Sequence, residues 1–299
     1  MDLFEISKLR KIDEKRGLSI DEFRKEYFEK NKPVIITGVA DKWDFLKKWT
    51  LENIGEKVKK VRIQKPSEYG VYHFMKFDEI SYREFLKKIK NKEAVYLSAN
   101  KILGDGGIAV NEESFGGLAD DLTYLEYINK EEIFSANLWI GPGGNKTLLH
   151  FDPWHSFIVV VKGKKKVAVY HPSQTPYLNP YKMSDIKSMY EGRMMDSKVN
   201  PEEVQGEYIK DTMNAEGEWG EVKRGQILYI PAGAWHYVKS YNVNISVNYF
   251  YNAGGEGLLD KPPLKDYYLK KKYIVPVMEK FRQTKGILST VKRKIQPSR

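Results

Sequence analysis

The order of apolar and polar residues differs between the two ends of the chain. In residues 1–93, a serine or threonine followed three positions later by a polar residue marks several helix starts, and short apolar runs mark strands. The predicted helices begin after Ser19, Thr50 and Ser81, and the predicted strands lie at residues 33–38 and 61–63. This mixture predicts an α/β region that packs on the rest of the molecule.

From residue 94 to residue 262, short apolar runs separated by glycine and proline predict mostly strands. They include residues 94–98, 137–140, 226–231 and 245–251, and a pair of apolar runs joined by a lysine-glycine turn near residue 163. A short helix is predicted at Leu122–Ile128. Closely spaced short strands of this kind favour a β-barrel or sandwich over an alternating βαβ fold.

Three regions follow from these patterns. Residues 1–93 form the helix and strand region, residues 94–262 the barrel, and residues 263–299 a basic helical region. Within the barrel, residues 172–221 are polar and acidic and are interpreted as a long insertion between strands.

Composition narrows the classes of function. The chain has 299 residues and no cysteine, which excludes disulfides, thiolate metal sites and cysteine nucleophiles. No signal peptide and no apolar run of about 18 residues is present, so we expect a cytoplasmic protein without a membrane span. The formal net charge of +10, partly from residues 270–299, could attract nucleic acid, although a solvated helix face is the simpler explanation.

His150 and Asp152 are the first candidate metal ligands. One residue separates them, and side chains at positions i and i+2 of an extended strand point to the same face. Two histidines and one carboxylate form the facial triad of non-haem Fe(II) oxygenases. His236 is the best third ligand, because it follows a buried strand and a turn of small residues at 231–233. The alternatives are a hydrogen-bonded His150–Asp152 pair and a core histidine at position 236. The remaining histidines are predicted not to bind metal: His73, His155 and His171.

The lysines after this motif are not equivalent. Lys162, Lys164, Lys165 and Lys166 all lie near the glycine turn. If residues 162–164 form the turn, alternation places Lys165 on one face of the next strand and Lys166 on the other. A buried ammonium group needs an anionic partner. The alternative is that Lys165 is another solvated turn lysine.

Together these motifs resemble the JmjC/cupin-like 2-oxoglutarate oxygenases over most of the chain. The resemblance rests on His150-Phe151-Asp152, the lysine that follows, and residues 225–231 with Trp235-His236. Residues 33–40 with Trp49 are similar to the group that contains the factor-inhibiting-HIF asparaginyl hydroxylase. The resemblance implies a mainly β protein with flanking helices: a double-stranded β-helix (jelly-roll or cupin) core, an α/β N-terminal extension and C-terminal helices.

The resemblance also implies the roles of individual residues. Fe(II) would be held by the triad and chelated by 2-oxoglutarate as cosubstrate. The family spacing, fifteen positions after His150, selects Lys165 for the distal carboxylate, with Thr147 and, more loosely, Tyr96 as hydroxyl donors. Asn248 matches an asparagine near the 1-carboxylate. Ser156 stands where the related proteins have asparagine, and it can still donate a hydrogen bond. Tyr96 and Asn248 could instead only pack within their strands.

The implied function is an oxygenase that couples decarboxylation of 2-oxoglutarate to succinate with hydroxylation of a substrate C–H bond. A protein or peptide side chain is the first choice of substrate, and Trp154 and His155 are candidates for its mouth. The alternatives are a tRNA-base or small-molecule hydroxylase or demethylase, a non-oxygenase metal-binding cupin, and an inactive interaction module. The C-terminal helices, from Leu264 to Ile295, could form a homodimer interface or pack on their own barrel.

Overall fold

The computed structural model of the protein describes residues 1–64, 77–107, 115–182, 184–185, 193–252 and 261–276. Twelve strands lie in these segments: β1 Lys8–Lys11, β2 Asp13–Arg16, β3 Val34–Thr37, β4 Lys60–Gln64, β5 Asp78–Ser81, β6 Tyr96–Leu103, β7 Ile133–Gly141, β8 His150–Phe151, β9 His155–Tyr170, β10 Glu216–Lys223, β11 Ile227–Ile230 and β12 Trp235–Tyr251. The α-helices of the same segments are α1 Leu3–Ile6, α2 Ile20–Phe23, α3 Asp44–Lys48, α4 Leu51–Lys57, α5 Tyr82–Lys90, α6 Gly206–Thr212 and α7 Leu264–Leu269.

Two long strands, β9 and β12, organise the fold. They pair antiparallel along nearly their whole length, and both bend in the middle, at Gly163 and Asn242, where φ is +82° and +58°. Gly163 has no room for a side chain, because an added Cβ would lie 2.6 Å from the carbonyl oxygen of Val243. The bends divide each strand between two sheets, which gives the double-stranded β-helix.

The first sheet contains residues 155–162 of β9 and 245–251 of β12. Strands β11, β3 and β2 extend it on one side, and β7, β6, β4 and β5 on the other. The second sheet contains residues 164–170 and 235–241, with β10 and β1 on one side and β8 on the other. The predicted fold class, a jelly-roll core with flanking helices, is confirmed.

Apolar side chains fill the space between the two sheets and cover both outer faces. Val160 of the first sheet and Val169 of the second belong to the interior cluster. Phe157, on the outer face of the first sheet, packs in one cluster with aromatic residues of the N-terminal helices such as Phe23. Trp235, on the outer face of the second sheet, packs with α1 and α7. Helices α2–α5 therefore cover the first sheet, whereas α1 and α7 cover the second.

The helix starts predicted from local sequence are confirmed. Ser19, Thr50 and Ser81 are the N-cap residues of α2, α4 and α5, and the side chain of each accepts a backbone hydrogen bond. After α2 the helix continues as a π-helical turn over Arg24–Phe28. Capping is a local interaction, which is why the sequence alone locates these ends.

Three predictions about elements need correction. Residues 122–128 form an irregular segment and a turn, whereas a 3₁₀ helix lies just before them at Gly116–Asp121. The expected insertion at 172–221 lies between β9 and β10 as far as residue 215, but its last six residues belong to β10, a strand of the second sheet. The two halves of β9 do not form a hairpin with each other, because each pairs with the opposite half of β12.

Other predictions fall partly outside the described segments. The C-terminal helical region is seen as α7 and a π-helical turn at Lys270–Ile274, and residues 277–299 lie outside the description, as does His73. None of the described helices is both long and apolar enough to cross a membrane.

Candidate metal centre

The two predicted histidine ligands face each other across neighbouring strands. His150 in β8 pairs directly with His236 in β12, and their ring centroids lie 4.2 Å apart. Phe151 points to the opposite face, where its ring contacts that of Trp235 at 5.0 Å. Asp152 returns to the face of His150, as the alternation of an extended chain requires. The ligand atoms of His150, Asp152 and His236 all lie within 4.8 Å of one another.

Backbone contacts orient both imidazole rings toward this point. The Nδ1 atoms of His150 and His236 lie 2.8 and 3.0 Å from the carbonyl oxygens of Leu148 and Ala234. A carbonyl only accepts, so each Nδ1 carries the proton and each Nε2 keeps its lone pair for a metal. Burial, with a smaller electrostatic effect of the neighbouring His236, lowers the pKa of His150 to about 4. His150 is therefore neutral at physiological pH, as a ligand must be.

Asp152 is held ionised beside the histidines. Burial alone would raise its pKa, but the interactions with His236 and His150 keep it below its ordinary value. Its Oδ2 lies 3.5 Å from Nε2 of His236. The backbone N–H of Gly233 donates to the Asp152 carbonyl at 2.8 Å, which ties this residue to the turn before β12.

The donor set fits Fe(II). Two neutral imidazole nitrogens and one carboxylate oxygen, all on one side, leave the remaining positions of an octahedral ion open. Among the described residues this is the cluster of histidine and acidic side chains that could hold a metal ion. The predicted triad is thus assembled in the fold.

The predicted lysine, Lys165, lines the same cavity as the three triad residues, farther along strands β9 and β12. Lys165 is 3% exposed, and its Nζ donates to the hydroxyl of Ser240 at 3.0 Å. Ser240 follows His236 by four residues of β12, or roughly 13 Å at about 3.3 Å per residue. Burial lowers the pKa of Lys165 to about 7. The other lysines of the bend are more exposed, so Lys165 is the buried lysine among them, on the face that alternation gave it.

Thr147, Tyr96 and Asn248 also line this cavity, which has a volume of about 300 Å³. The Thr147 hydroxyl accepts a hydrogen bond from the backbone N–H of Val238 at 3.0 Å. Ser156 does not line the cavity. Its hydroxyl donates to Oδ1 of Asn248 at 2.7 Å and so fixes the orientation of that amide.

One wall of the cavity is aromatic. Trp154 lines it and stacks on Phe134, with ring centroids 4.4 Å apart, and Phe250 meets Trp154 edge-on. The adjacent His155 faces away, into the core, where its Nδ1 lies 2.8 Å from the hydroxyl of Tyr229. Of the two residues predicted at the substrate mouth, only Trp154 lines the cavity. His171 is exposed, bonds to Ser173 and is not a member of the cluster.

Sequence reasoning missed two residues of the opposite wall. Met195 and Asp196 line the cavity, although they belong to the polar segment interpreted as an insertion. Burial raises the pKa of Asp196 to about 6 despite the neighbouring Arg193. The Met-Met-Asp-Ser run carries no motif, and only the pairing of residues 195–197 with β8 reveals its position.

Comparison with known proteins identifies the family. The family model of the cupin-like domain matches residues 20–256. The chain belongs to the cupin-like domain family. Relatives include lysine-specific demethylase 8 of Xenopus tropicalis, 27% identical over 78% of this chain and 51% of that protein, and lysine-specific demethylase JMJ30 of Arabidopsis thaliana, 27% identical over 83% and 56%. The tRNA wybutosine-synthesizing protein 5 of Gallus gallus is 25% identical over 79% of this chain and 75% of its own length.

The cupin-like chain thus spans about half the length of the two demethylases. The resemblance to JmjC/cupin-like oxygenases inferred from His150-Phe151-Asp152 and His236 is confirmed by the family match and these relatives. The family and the buried triad also agree with the expected cofactors, Fe(II) and 2-oxoglutarate.

Proposed function

We propose that this cupin-like protein is an Fe(II)- and 2-oxoglutarate-dependent oxygenase that hydroxylates a side chain of a protein substrate. The observation that supports it most is the presence of His150, Asp152, His236 and the buried Lys165 in one cavity. A metal-binding cupin that does not use 2-oxoglutarate needs the triad, but it does not need a buried ammonium group such as that of Lys165 in the cavity. The intact triad likewise argues against an inactive interaction module.

The triad residues would hold Fe(II), which together with 2-oxoglutarate supplies the oxidative chemistry. His150 and His236 present Nε2 because their Nδ1 protons are engaged by backbone carbonyls. Ligands on one side leave adjacent positions for cosubstrate and oxygen. The aromatic side chains of Trp139, Trp154 and Phe250 in the cavity wall would help to keep water from the reacting atoms.

Lys165 and Thr147 would bind the distal carboxylate of 2-oxoglutarate. An ammonium group pairs well with a carboxylate in a site of low polarity, and the pairing offsets the cost of burying both charges. Ser240 already orients the Lys165 ammonium group. Asn248, held by Ser156, and Tyr96 are proposed to contact the other end of the cosubstrate or the substrate itself.

The names of the relatives mention two substrate classes, lysine and tRNA. We favour a protein side chain, because the cavity presents the carboxylate of Asp196, which would repel phosphate groups. A tRNA substrate is the second candidate, supported by the net charge of +10.

We also propose that the protein is cytoplasmic and forms a homodimer through its C-terminal region. Sedimentation of the full chain tests the dimer.

The central test measures succinate released from 2-oxoglutarate with Fe(II), with and without a peptide mixture or tRNA. His150→Ala and Asp152→Ala should each lower succinate release by more than about a hundredfold, since each removes a metal ligand. His171→Ala is the matched control, because His171 is exposed and bonds only locally. Near-normal turnover in either triad variant would refute the metal assignment.

The same assay separates the substrate classes. Stimulation by peptides, with oxygen incorporated into them, supports the protein substrate. Stimulation by tRNA alone, with binding that weakens steeply as salt increases, favours the second candidate.

A further inference from the structure

The chain that leads into β8 pairs with β12 at the end of the cavity that holds Lys165. The Thr147 N–H donates to the Val238 carbonyl at 3.0 Å, and the Ser240 N–H donates to the Asn145 carbonyl at 2.8 Å. The Val238 N–H donates in turn to the Thr147 hydroxyl oxygen at 3.0 Å. The proton of that hydroxyl can therefore be donated to an anion in the cavity. This pairing places Thr147 beside Ser240, which bonds to Lys165.

The same pairing brings two like charges together behind the cavity. Lys146 and Lys239 form an antiparallel bridge. Val238 lines the cavity, so the neighbouring Lys239 points to the opposite face of the strand. The backbone bonds on either side of the bridge are those of a non-hydrogen-bonded pair, whose Cβ atoms lie about 4.5–5.5 Å apart. Like charges directly opposite each other destabilise a strand pair, so the two ammonium groups would push these chains apart.

Glu202 compensates both charges. Its carboxylate accepts hydrogen bonds from Lys146 at 2.5 Å, from Lys239 at 3.0 and 3.2 Å, and from the hydroxyl of Tyr237. Lys146 belongs to one chain of the pair, whereas Tyr237 and Lys239 belong to the other. The side chains of Glu202, Lys146 and Lys239 are 20%, 24% and 27% exposed. A network of charges that is mostly shielded from water contributes more than an isolated surface pair does.

The backbone on either side of Glu202 is fixed by the first residues of the chain. The Leu3 N–H donates to the Pro201 carbonyl at 2.9 Å, and the Val204 N–H donates to the Met1 carbonyl at 3.1 Å. A carboxylate on a segment that is already ordered loses little conformational entropy when it binds the two lysines. Glu202 is therefore held in place to join the two chains.

We propose that Glu202 is a positioning residue for the cosubstrate. It joins the chain before β8 to β12, and so keeps the Thr147 hydroxyl beside the Ser240–Lys165 pair, where the distal carboxylate of 2-oxoglutarate would bind. The proposal rests on the function proposed above, and it assigns to that site a residue that does not line the cavity. Loss of its charge would leave Lys146 opposite Lys239 and move Thr147 away from the anion.

The test compares variants of the full chain that differ in local charge. Glu202→Gln leaves the two opposed lysines without an anion. The double variant Glu202→Gln with Lys146→Met also removes one lysine, and so restores the original balance of charge. Glu203→Gln is the matched control, because Glu203 is the next residue and is exposed.

Hydrogen exchange of backbone amides reports the strand pairing without any cosubstrate. In Glu202→Gln, the amides of Thr147 and Ser240 should exchange about tenfold faster or more, because the chains separate more often. The amides of residues 245–251, in the first sheet, should keep their rates, which shows that the protein is folded. The double variant should restore slow exchange, and Glu203→Gln should not change it. Unchanged exchange at Thr147 in Glu202→Gln would overturn the proposal.

Calorimetry and turnover report the consequence for the cosubstrate. The affinity of the Mn(II)-loaded protein for 2-oxoglutarate should fall about tenfold in Glu202→Gln, as expected when one hydrogen bond to a charged group is lost. The KM for 2-oxoglutarate should rise while kcat changes little. The affinity for Mn(II) should stay the same, because Glu202 does not contact the triad. An equal loss of Mn(II) affinity would overturn the positioning role.

The outcomes separate this proposal from the oxygenase function. Absence of 2-oxoglutarate binding and of succinate in the unmodified protein would overturn the oxygenase function, and with it the role of Glu202 toward a cosubstrate. Equal affinity for 2-oxoglutarate in Glu202→Gln and the unmodified protein would overturn only the role of Glu202. A double variant that recovers neither slow exchange nor affinity would do the same, because repulsion between the lysines would then not be the cause.

Discussion

Lys165 is the residue whose protonation depends most on what occupies the cavity. Its ammonium group is buried with the Ser240 hydroxyl as its hydrogen-bond partner, and burial lowers its pKa to about 7 from 10.5. Below about pH 7 the group is charged and ready to bind a carboxylate. Above that pH, binding an anion requires that a proton be taken up first, which weakens the affinity.

We therefore expect the affinity for 2-oxoglutarate to fall as the pH rises from about 6 to about 9. Lys165→Arg should reduce this pH dependence, because a guanidinium stays protonated throughout. Lys165→Met should lose measurable binding at either pH. Calorimetry on the Mn(II)-loaded protein provides the measurement, and Lys162→Met serves as the control at an exposed lysine of the same bend. A pH-independent affinity in the unmodified protein would contradict the role of Lys165.

The contrast between Lys165 and Asp196 shows what the sequence can reveal about single residues. Lys165 was found because alternation along its own strand and the spacing from His150 agree. Asp196 was missed because its position depends on pairing with β8, a contact between segments far apart in the chain. The alternation of residues along a strand shows which face of the strand a side chain lies on. The pairing of segments distant in sequence determines which residues that face contacts.

At the scale of elements, α7 supports the metal ligands from behind. Leu264 of α7 packs against Gly233, and an added Cβ at Gly233 would lie 2.9 Å from the Leu264 Cγ atom. The Gly233 N–H bonds to the carbonyl of Asp152, and Tyr267 of α7 meets the ring of Phe151 edge-on. The turn before β12 is thus fixed between the helix and the triad.

Gly233→Ala should weaken both the fold and the metal site. Its φ of +74° costs an alanine about 1–2 kcal/mol, and the contact with Leu264 adds to that and moves the turn that holds Asp152. Gly144→Ala is a closely matched control, since its φ is +73° and nothing lies within 4 Å of an added Cβ. Urea unfolding and Mn(II) titration should show a larger loss for Gly233→Ala. Equal losses would mean that the contact with α7 does not matter.

Helix ends and strand assignments were predictable to different degrees. The caps at Ser19, Thr50 and Ser81 are local and were located from sequence. Strand β10 was missed, because glutamate and glycine dominate its sequence and its identity comes from pairing with β1 and β9. The continuity of β9 through Gly163 was also hidden, since a glycine bend between sheets and a hairpin turn have the same local sequence.

At the scale of the whole molecule, two buried histidines make stability depend on pH. The pKa values of His150 and His155 are lowered from 6.5 to about 4, in both cases chiefly by burial. Between these values the unfolded chain binds protons that the folded protein does not. The free energy of unfolding therefore falls as the pH falls through this range.

For the metal-free protein, we expect a loss of about 2 kcal/mol per histidine between about pH 7 and about pH 5. His155→Phe should remove roughly half of this dependence, although it also loses the hydrogen bond with Tyr229. His171→Phe changes an exposed histidine and should leave most of the dependence in place. The measurement is the urea midpoint at both pH values. A midpoint of the unmodified protein that does not change would contradict the neutral, buried state of both rings.

The pairing of β9 with β12 sets the order in which the protein can fold. Residues 155–170 cannot form their strand pairing until residues 235–251 are available. Contacts between such distant segments slow folding, because a long loop has to close first. During synthesis β9 emerges long before its partner, with an apolar edge open to incorrect pairing. His236 arrives on that late strand. A nascent chain therefore cannot use the metal ion to nucleate its fold. The three ligands come together only when β12 has paired, so tight metal binding follows closure of the barrel.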